Sequence, residues 1–289
     1  MKKNSIKTIA AIVAILTLVA CGKEHNLPNN DEPASLWPKK KVSRIIQRAG
    51  TMDYLTYDFT WREGLLADIR CTLYDGTPLG GVEFSYDACR LQCITPYDGS
   101  DVRFPYGSMH YHYDGNGRLQ RQTFNLPLRE GQGLCDTGYT AVLPCELSYT
   151  YAADGKVSEV CATRFLPDGS TTSGTYTFTW QGGNVATLAL NTDGGTQMLL
   201  DHPQYDTLPN PLRFPFGVET MGIGQTMILE GVFGYCITFL PDAFCWCENN
   251  MTVLPFVSGQ CSLAYDDEGY LTSKTVTVGT TQSTYLFYY

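Results

Sequence analysis

The chain carries little charge and few basic residues. Asp, Glu, Lys and Arg make up 17% of its 289 residues, with 20 basic against 29 acidic residues and a net charge of −9. Proteins bind the phosphate backbone of nucleic acids through positively charged patches. This charge balance therefore predicts that nucleic acid is not a partner.

Sustained helical periodicity is also lacking. Aromatic residues are abundant instead, with 19 Tyr and 13 Phe. Aromatic and β-branched side chains pack well on a pleated surface, and the apolar residues here tend to alternate with polar ones. The sequence therefore predicts an all-β protein.

Long apolar runs are scarce, and the chain has one near its start. The run from Ile9 to Ala20 follows Lys2, Lys3 and Lys7 and contains no charge. It is shorter than the about 20 residues of a membrane-spanning helix, and its layout is that of an export signal. Leu18-Val19-Ala20-Cys21-Gly22 matches a lipobox. We therefore expect residues 1–20 to be a lipoprotein signal peptide and Cys21 to be lipidated, with an ordinary secretory signal as the alternative.

The segment that follows the lipobox predicts a flexible tether. Residues 21–41 are mostly polar, lack periodicity and contain Pro28, Pro33 and Pro38. Residues 42–289 remain for a single all-β domain. Without the three lysines of the signal, 17 basic residues stand against 29 acidic ones, a net charge of −12. We expect this domain to be held by its lipid to a membrane of the cell envelope, at the outer membrane facing the periplasm or the cell surface.

Cysteine is plentiful, with 11 in the sequence and ten beyond Cys21. An exported protein is able to oxidise such thiols to disulfides. Their pairing cannot be read from the sequence, because ten cysteines have many possible connectivities.

One short motif recurs along the chain: an aromatic residue, any residue, a second aromatic residue, a short turn with Gly, and then an aliphatic residue. The copies are Tyr57–Leu66, Tyr111–Leu119, Tyr149–Val157, Tyr176–Val185 and Leu263–Leu271, with a weaker copy at Phe84–Asp87.

The motif predicts a β-hairpin. Alternation places the aromatic residues on one face of a strand, and Asp, Asn and Gly supply the positive φ angles of a tight turn. Hairpins joined in sequence make a long antiparallel meander that forms a curved sheet or a porin-like barrel. The unequal spacing of the copies favours one sheet of unequal hairpins over a strict solenoid.

Three stretches carry a resemblance to a known family. They are Trp180-Gln181-Gly182-Gly183-Asn184-Val185, then Asn210-Pro211-Leu212, and finally Tyr265–Tyr270 together with Lys274 and the closing Tyr285–Tyr289. These resemble the turns and the C-terminal hairpin of Bacteroides-type lipoproteins that carry domain of unknown function 4595, which has a porin-like fold. Leu271 stands where that family usually has proline. The resemblance implies a curved antiparallel sheet or barrel on a lipid tether, and it implies no activity.

Candidate metal ligands are few. His110 and His112 lie two residues apart on a predicted strand, so their rings share a face and are able to contribute to a zinc site. Cys245 and Cys247 share a face in the same way, and with Cys89 and Cys93 they would supply four thiolates. None of these spacings matches a zinc knuckle, so packing or surface roles are the simpler interpretation.

Catalytic and calcium-binding patterns are incomplete. Asp201-His202 and Ser108 near His110 are the nearest approaches to acid–base or nucleophilic chemistry, but no Gly-x-Ser-x-Gly elbow or orienting acid accompanies them. Asp114–Gly117 and Asp266–Gly269 are too short for a calcium loop and are better explained as turns. Any binding surface is expected to use loops, such as Thr95–Tyr106 or Asp201–Gly224.

These observations predict a non-catalytic cell-envelope lipoprotein without a cofactor, acting as a binding or scaffold module for a glycan, a peptide or an envelope protein. Two alternatives stay open. One is an envelope hydrolase with an unrecognised site that uses His110, His112, Asp201 or His202. The other is an integral outer-membrane barrel, which the aromatic C-terminal strand suggests.

Overall fold

The computed structural model describes residues 40–87, 90–103, 108–129, 139–211, 247–254 and 259–289, and this part of the chain forms eighteen strands. They are β1 (Arg44–Ala49), β2 (Met52–Arg62), β3 (Leu65–Leu73), β4 (Pro78–Asp87), β5 (Arg90–Asp98), β6 (Met109–Tyr113), β7 (Leu119–Arg129), β8 (Tyr139–Tyr151), β9 (Val157–Phe165), β10 (Thr171–Gln181), β11 (Asn184–Thr192), β12 (Gly195–Asp201), β13 (Tyr205–Pro209), β14 (Asn249–Met251), β15 (Val253–Leu254), β16 (Gly259–Tyr265), β17 (Leu271–Val278) and β18 (Thr281–Tyr288).

Sixteen of these strands form one antiparallel sheet. From β1 to β12, each strand pairs with its neighbours in sequence, and β1 also pairs with β18, which continues into β17, β16 and β15. The edges are β12 and β15, so strand pairing does not close the sheet. β13 and β14 form a separate two-stranded sheet. The predicted all-β fold, a long antiparallel meander of β-hairpin repeats, is confirmed.

The two faces of the sheet differ in composition. In β2, the side chains of Leu55, Tyr57 and Phe59 are buried, whereas the polar residues between them, Thr56 and Asp58, are partly exposed. The same alternation runs through the central strands and gives one continuous apolar core on the inner face. This face supplies the main apolar stabilisation, because burial of apolar surface contributes about 25 cal/mol per Å².

A regular hydrogen-bond ladder explains the last aromatic residue before the turn in five of the six copies of the motif. Among the described residues, seven aromatic side chains each donate from a phenol or indole group to the main-chain carbonyl of a residue at, or just before, the start of an earlier strand. The donor and acceptor pairs, at 2.7–3.0 Å, are Trp61 and Val42, Tyr86 and Leu66, Tyr113 and Leu91, Tyr151 and Leu119, Trp180 and Val157, Tyr205 and Val185, and Tyr289 and Leu271. The accepting residues are at most 3% exposed. The weaker copy at Phe84–Asp87 belongs to this ladder through Tyr86.

A repeated β-bulge aims these donors. The strand register shifts immediately before Trp61, Tyr86, Tyr113, Tyr151 and Trp180. A bulge re-aims the side chain that follows it. Here the last aromatic residue before the turn reaches sideways to the preceding strand, while the aromatic residue two positions before it enters the core. The bulge therefore turns the last aromatic side chain of each such strand away from the core, so that it contacts the neighbouring repeat.

Basic side chains cover four of these aromatic rings. Lys41 lies 4.8 Å from the centroid of Trp61, and Lys156 lies 5.6 Å from that of Trp180. Arg90 and Arg118 lie 5.8 and 5.0 Å from the rings of Tyr113 and Tyr151. Each cation directly precedes the ladder acceptor of the same ring in sequence, so two adjacent residues supply the cation and the carbonyl to one aromatic side chain.

The turn aspartates act as predicted. The Asp114 carboxylate accepts hydrogen bonds from the backbone amides of Asn116 and Arg118, and Asp266 accepts them from Glu268 and Tyr270. Gly117, in the first of these turns, has a φ of 84°. These carboxylates therefore stabilise hairpin turns, which is the role that the short spacing favoured over calcium binding.

Candidate functional site

The two edges of the large sheet are linked by the two-stranded sheet β13–β14, here called the strap. On one side, the His202 amide donates to Ala186 O at the end of β11. Across the strap, the Thr252 amide donates to Gln204 O, and on the far side the Cys261 amide of β16 donates to Thr252 O. Backbone hydrogen bonds thus run from β11 to β16 through residues that flank the strap. At its other end, the Asn210 amide donates to Glu248 O, and the Glu248 amide donates to Gly183 O beside β11.

The hydrogen-bonded region where the strap meets β11 and β16, here called the joint, has a carboxylate at its centre. Asp206 of β13 accepts hydrogen bonds from the Asn250 amide at 3.0 Å and from Asn250 Nδ2 at 3.2 Å. It also accepts one from the Tyr265 hydroxyl of β16. Asp206 therefore joins β13, β14 and β16. Asn250 is 5% exposed, whereas Asp206 and Tyr265 are partly exposed, so these bonds are partly shielded from water.

Asparagines complete the joint on the side of β11. Asn184 and Asn249 bond reciprocally: Asn184 Nδ2 donates to Asn249 Oδ1 at 2.9 Å, and the Asn249 amide donates to Asn184 Oδ1 at 3.1 Å. Asn210 Nδ2 donates to Cys247 O at 3.2 Å. An asparagine side chain both donates and accepts, so it can satisfy a strand end that has no ladder partner.

The joint brings together motifs that lie far apart in the sequence. Asn184 comes from the first family-like stretch, Asn210 from the second and Tyr265 from the third. Asp206, Asn249 and Asn250 were not predicted from the sequence. The one signal for them is the presence of Asp and Asn near Pro209 and Cys247, at the ends of short apolar segments. The predicted loop Asp201–Gly224 is wrong in part, because Tyr205–Pro209 forms β13.

The chemistry of the joint is that of hydrogen bonding. The Asp206 carboxylate already faces the amide and side chain of Asn250, the Tyr265 hydroxyl and the Leu208 amide. The Cys247 thiol lies 3.4 Å from the Tyr205 hydroxyl, and burial, followed by this thiol, raises the pKa of Tyr205 well above its ordinary value. The donors and acceptors of the joint therefore bond to one another, and these bonds hold the strands together.

The histidine pair lies on the outer face of β6. His110 and His112 are both exposed, and His112 Nε2 lies 3.2 Å from Thr123 Oγ1. Partial burial, with the nearby Arg121 and His110 charges, lowers the pKa of His112. Cys93 stands opposite His110 across β5 and β6, a neighbour that the sequence spacing did not suggest.

The cysteine set lies only partly within the described residues. Cys93 is on β5, whereas Cys247 is buried beside the strap, so these two do not meet. Cys89, Cys245 and Cys21, the predicted lipidation residue, lie outside the described residues. In the ranges that the structure does describe, no three His, Cys, Asp or Glu side chains stand together in a way that could hold a metal ion.

The candidate acid–base residues are far apart. Asp201 and His202 lie at the end of β12, with side chains 72% and 73% exposed and 3.9 Å between Asp201 Oδ1 and His202 Nε2. In strand order, β7 to β11 separate them from His110 and His112 on β6. The structure therefore does not assemble these four residues into one site.

A second polar cluster, which the sequence did not predict, lies on the outer face of β3 to β5. The Tyr97 hydroxyl donates to Asp68 Oδ1 at 2.7 Å, and the Arg70 guanidinium lies 5.5 Å from the Tyr97 ring. Burial raises the pKa of Asp68, although the Tyr97 hydroxyl opposes this shift. Tyr97 reaches Asp68 by lying over Gly81, where a side chain would collide with it.

Comparisons with known proteins return structural neighbours only. Neither protein-family models nor curated protein sequences match the chain. A crystal structure of a porin-like protein from Bacteroides uniformis is similar with a TM-score of 0.49 and 11% identity, covering 87% of this chain and 99% of its own. One from Bacteroides vulgatus has a TM-score of 0.46, 10% identity and the same coverage. The resemblance to the family with domain of unknown function 4595 stays a prediction.

One further feature concerns membrane crossing by helices. Among the residues that the structure describes, none forms a helix of the length and hydropathy that such a crossing requires.

Proposed function

We propose that this chain is a lipid-anchored protein of the cell envelope whose sheet is a non-catalytic scaffold or binding module for a glycan, a peptide or an envelope protein. The single observation that carries this proposal is the contrast between the two faces of the sheet. The inner face is an apolar core, and the outer face is polar across the central strands.

The outer face is built from hydroxyl and charged side chains. In β8 to β10, its members are Glu146, Ser148, Thr150, Glu159, Cys161, Thr163, Thr175, Thr177 and Thr179, all intermediate or exposed. Cross-strand ion pairs add to it, such as Arg121 with Glu146 at 3.4 Å and Arg103 with Glu83 at 2.7 Å. Exposed pairs of this kind contribute little to stability, about 0–1 kcal/mol each.

This polarity favours a domain beside the membrane over one embedded in it. Strands of an outer-membrane barrel turn an apolar band toward the lipid, and charged residues at that position cost about 2–4 kcal/mol. Threonine, glutamate and arginine occupy the corresponding face here. A water-facing sheet needs another attachment, which the lipobox at Cys21 would supply.

The same face supports binding rather than chemistry. Its side chains form rows of hydroxyls and ion pairs on a rigid sheet, and such a surface can hydrogen-bond a polar partner without a cleft. The hydrolase alternative rests on His110, His112, Asp201 and His202. The described structure places these four in two separate, solvated positions, so no geometric observation favours that alternative.

The anchor is tested with a Cys21→Ser variant of the full chain. We expect the unaltered protein to sediment with membranes after a carbonate wash and the variant to be released into the soluble fraction. Cys93→Ser is the matched control, because it makes the same change on the outer face of β5, and it should stay with the membrane. Retention of Cys21→Ser in the membrane would contradict the anchored-domain proposal and support an embedded barrel.

Binding is tested with the purified protein on arrays of bacterial glycans and peptides. Saturable binding that weakens when Glu146 and Arg121 are both replaced by alanine supports a binding role for the outer face. Hydrolysis of any array component, lost on His110→Ala or His202→Ala substitution, would refute the non-catalytic assignment.

A further inference from the structure

The joint between the sheet edges has a second property that follows from how its strands are paired. In the β7–β8 seam, residues register without interruption from Arg121 opposite Ser148 to Leu128 opposite Ala141. β13 and β14 register only at Tyr205 opposite Met251 and at Pro209 opposite Asn249. Pro209 has no amide hydrogen, so it cannot donate to a ladder.

The order of the strands along the chain shows which pair of strands joins the two ends of the large sheet. β13 follows β12 after three residues, and β15 follows β14 after one. The seam between β13 and β14 is therefore the place where the two ends of the large sheet meet. The His202 amide, bonded to Ala186 O, lies on one side of the seam, and the Cys261 amide, bonded to Thr252 O, lies on the other. Opening would also break the Glu248 amide bond to Gly183 O and the reciprocal Asn184–Asn249 pair, which join the β14 side to the β10–β11 hairpin.

The bonds across this seam come from the main chain at its two ends and from side chains between them. The Thr252 amide donates to Gln204 O and the Asn210 amide donates to Glu248 O, both at 2.8 Å. Asp206 accepts from both nitrogens of Asn250 and from the Tyr265 hydroxyl, all of which belong to the far side. Asn250 Nδ2 also approaches Leu208 O and Pro209 O at 3.3 Å. Charge-assisted bonds to a carboxylate are stronger than neutral ones, so Asp206 is the strongest single acceptor at the seam.

We propose that the β13–β14 seam is a releasable closure of the sheet, latched by the Asp206 carboxylate, and that it opens while the sixteen-stranded sheet stays intact. This is a conformational property that does not depend on the function proposed above. Opening would separate the two sheet edges and expose the inner face beside Tyr265. Segments held by few backbone hydrogen bonds open independently of the core in this way.

Hydrogen exchange of the full-length protein with single-residue resolution tests the latch. The amide of Thr252 donates across the seam, whereas those of His202 and Cys261 donate on either side of it. In an Asp206→Asn variant, we expect the Thr252 amide to exchange at least tenfold faster, which corresponds to about 1.4 kcal/mol, with His202 and Cys261 changed by less than about twofold.

Two further variants provide a second test of the latch and a matched control. Tyr265→Phe removes one donor to Asp206 and should give the same pattern with a smaller acceleration, which covers the case in which Asp206→Asn does not fold. Asp68→Asn is the matched control, because Asp68 also accepts a tyrosine hydroxyl but lies on β3. It should leave Thr252 exchange unaltered.

Two results would overturn the proposal. If Thr252 exchange is unaltered in both Asp206→Asn and Tyr265→Phe, the carboxylate is not the latch. If the amides of His202, Cys261 and the central strand β7 accelerate together with Thr252, the seam does not open independently of the sheet.

Discussion

Removal of one ladder hydroxyl tests the hydrogen-bond ladder of the fold. The Tyr151→Phe substitution keeps the ring under Arg118 and deletes only the hydroxyl that donates to Leu119 O at 2.7 Å. Leu119 is fully buried, at 0% exposure, so water cannot replace the lost donor without local opening.

The expected cost follows from these two facts. A typical hydrogen bond contributes about 0.5–1.5 kcal/mol net, and a buried acceptor left without its donor costs about 1–3 kcal/mol. We expect Tyr151→Phe to lower the free energy of unfolding by about 1–2 kcal/mol. For a domain of this size, each 1 kcal/mol lowers the Tm by roughly 2–4 °C.

Urea denaturation of the purified protein measures this change, with Tyr74→Phe as the control. Tyr74 is 65% exposed, so its substitution should change the free energy of unfolding by less than about 0.5 kcal/mol. The ladder also predicts that Tyr86→Phe and Tyr151→Phe add, because the two rungs share no partner. Equal midpoints for Tyr151→Phe and Tyr74→Phe would refute the reasoning, since the rungs would then carry no stability.

Two further predictions concern the cluster around Tyr97. Gly81→Ala should destabilise the fold by about 3 kcal/mol or more, because a Cβ there would lie 2.2 Å from Ile69 O and 2.4 Å from the Tyr97 hydroxyl. Gly115→Ala, whose Cβ would meet nothing within 4 Å, should be close to neutral in the same urea titration, and an equal loss in both variants would contradict the packing argument. The raised pKa of Asp68 means that the folded state holds this proton more tightly than the unfolded state, so the contribution of Asp68 to stability should fall as pH rises above the ordinary value of 3.8. Unfolding free energies of the unaltered protein and Asp68→Asn, compared from about pH 3 to pH 7, should show this slope only in the former, and parallel curves would contradict it.

The hairpins were predictable because their determinants are local. Alternating aromatic residues select a strand face, and Asp with Gly fixes the turn within a few residues. The turn at Asp114–Gly117 and the strands on either side of it follow from that pattern alone. The weaker copy at Phe84–Asp87 was also visible, because Tyr86 occupies the same place relative to its turn.

The candidate site was only partly predictable. Asn184, Asn210 and Tyr265 belonged to family-like stretches, but nothing in their spacing placed them at one joint. Asp206 and Tyr265 are 59 residues apart, and Asn184 and Asn249 are 65 apart. Contacts over such separations depend on how the meander returns on itself, which no short motif encodes.

The sequence by itself determined the strand class, the hairpin turns, the charge balance and the expectation of a lipid anchor, since each depends on the composition or order of adjacent residues. The tertiary structure alone decided that β1 pairs with β18 and that Asp206 joins three strands at the strap. It also decided that the last aromatic residue before the turn, in five copies of the motif, bonds sideways to the start of the preceding strand. The physical reason is that a hydrogen bond requires its two atoms to lie within about 3 Å of each other, and for residues distant in sequence only the packed sheet provides that proximity.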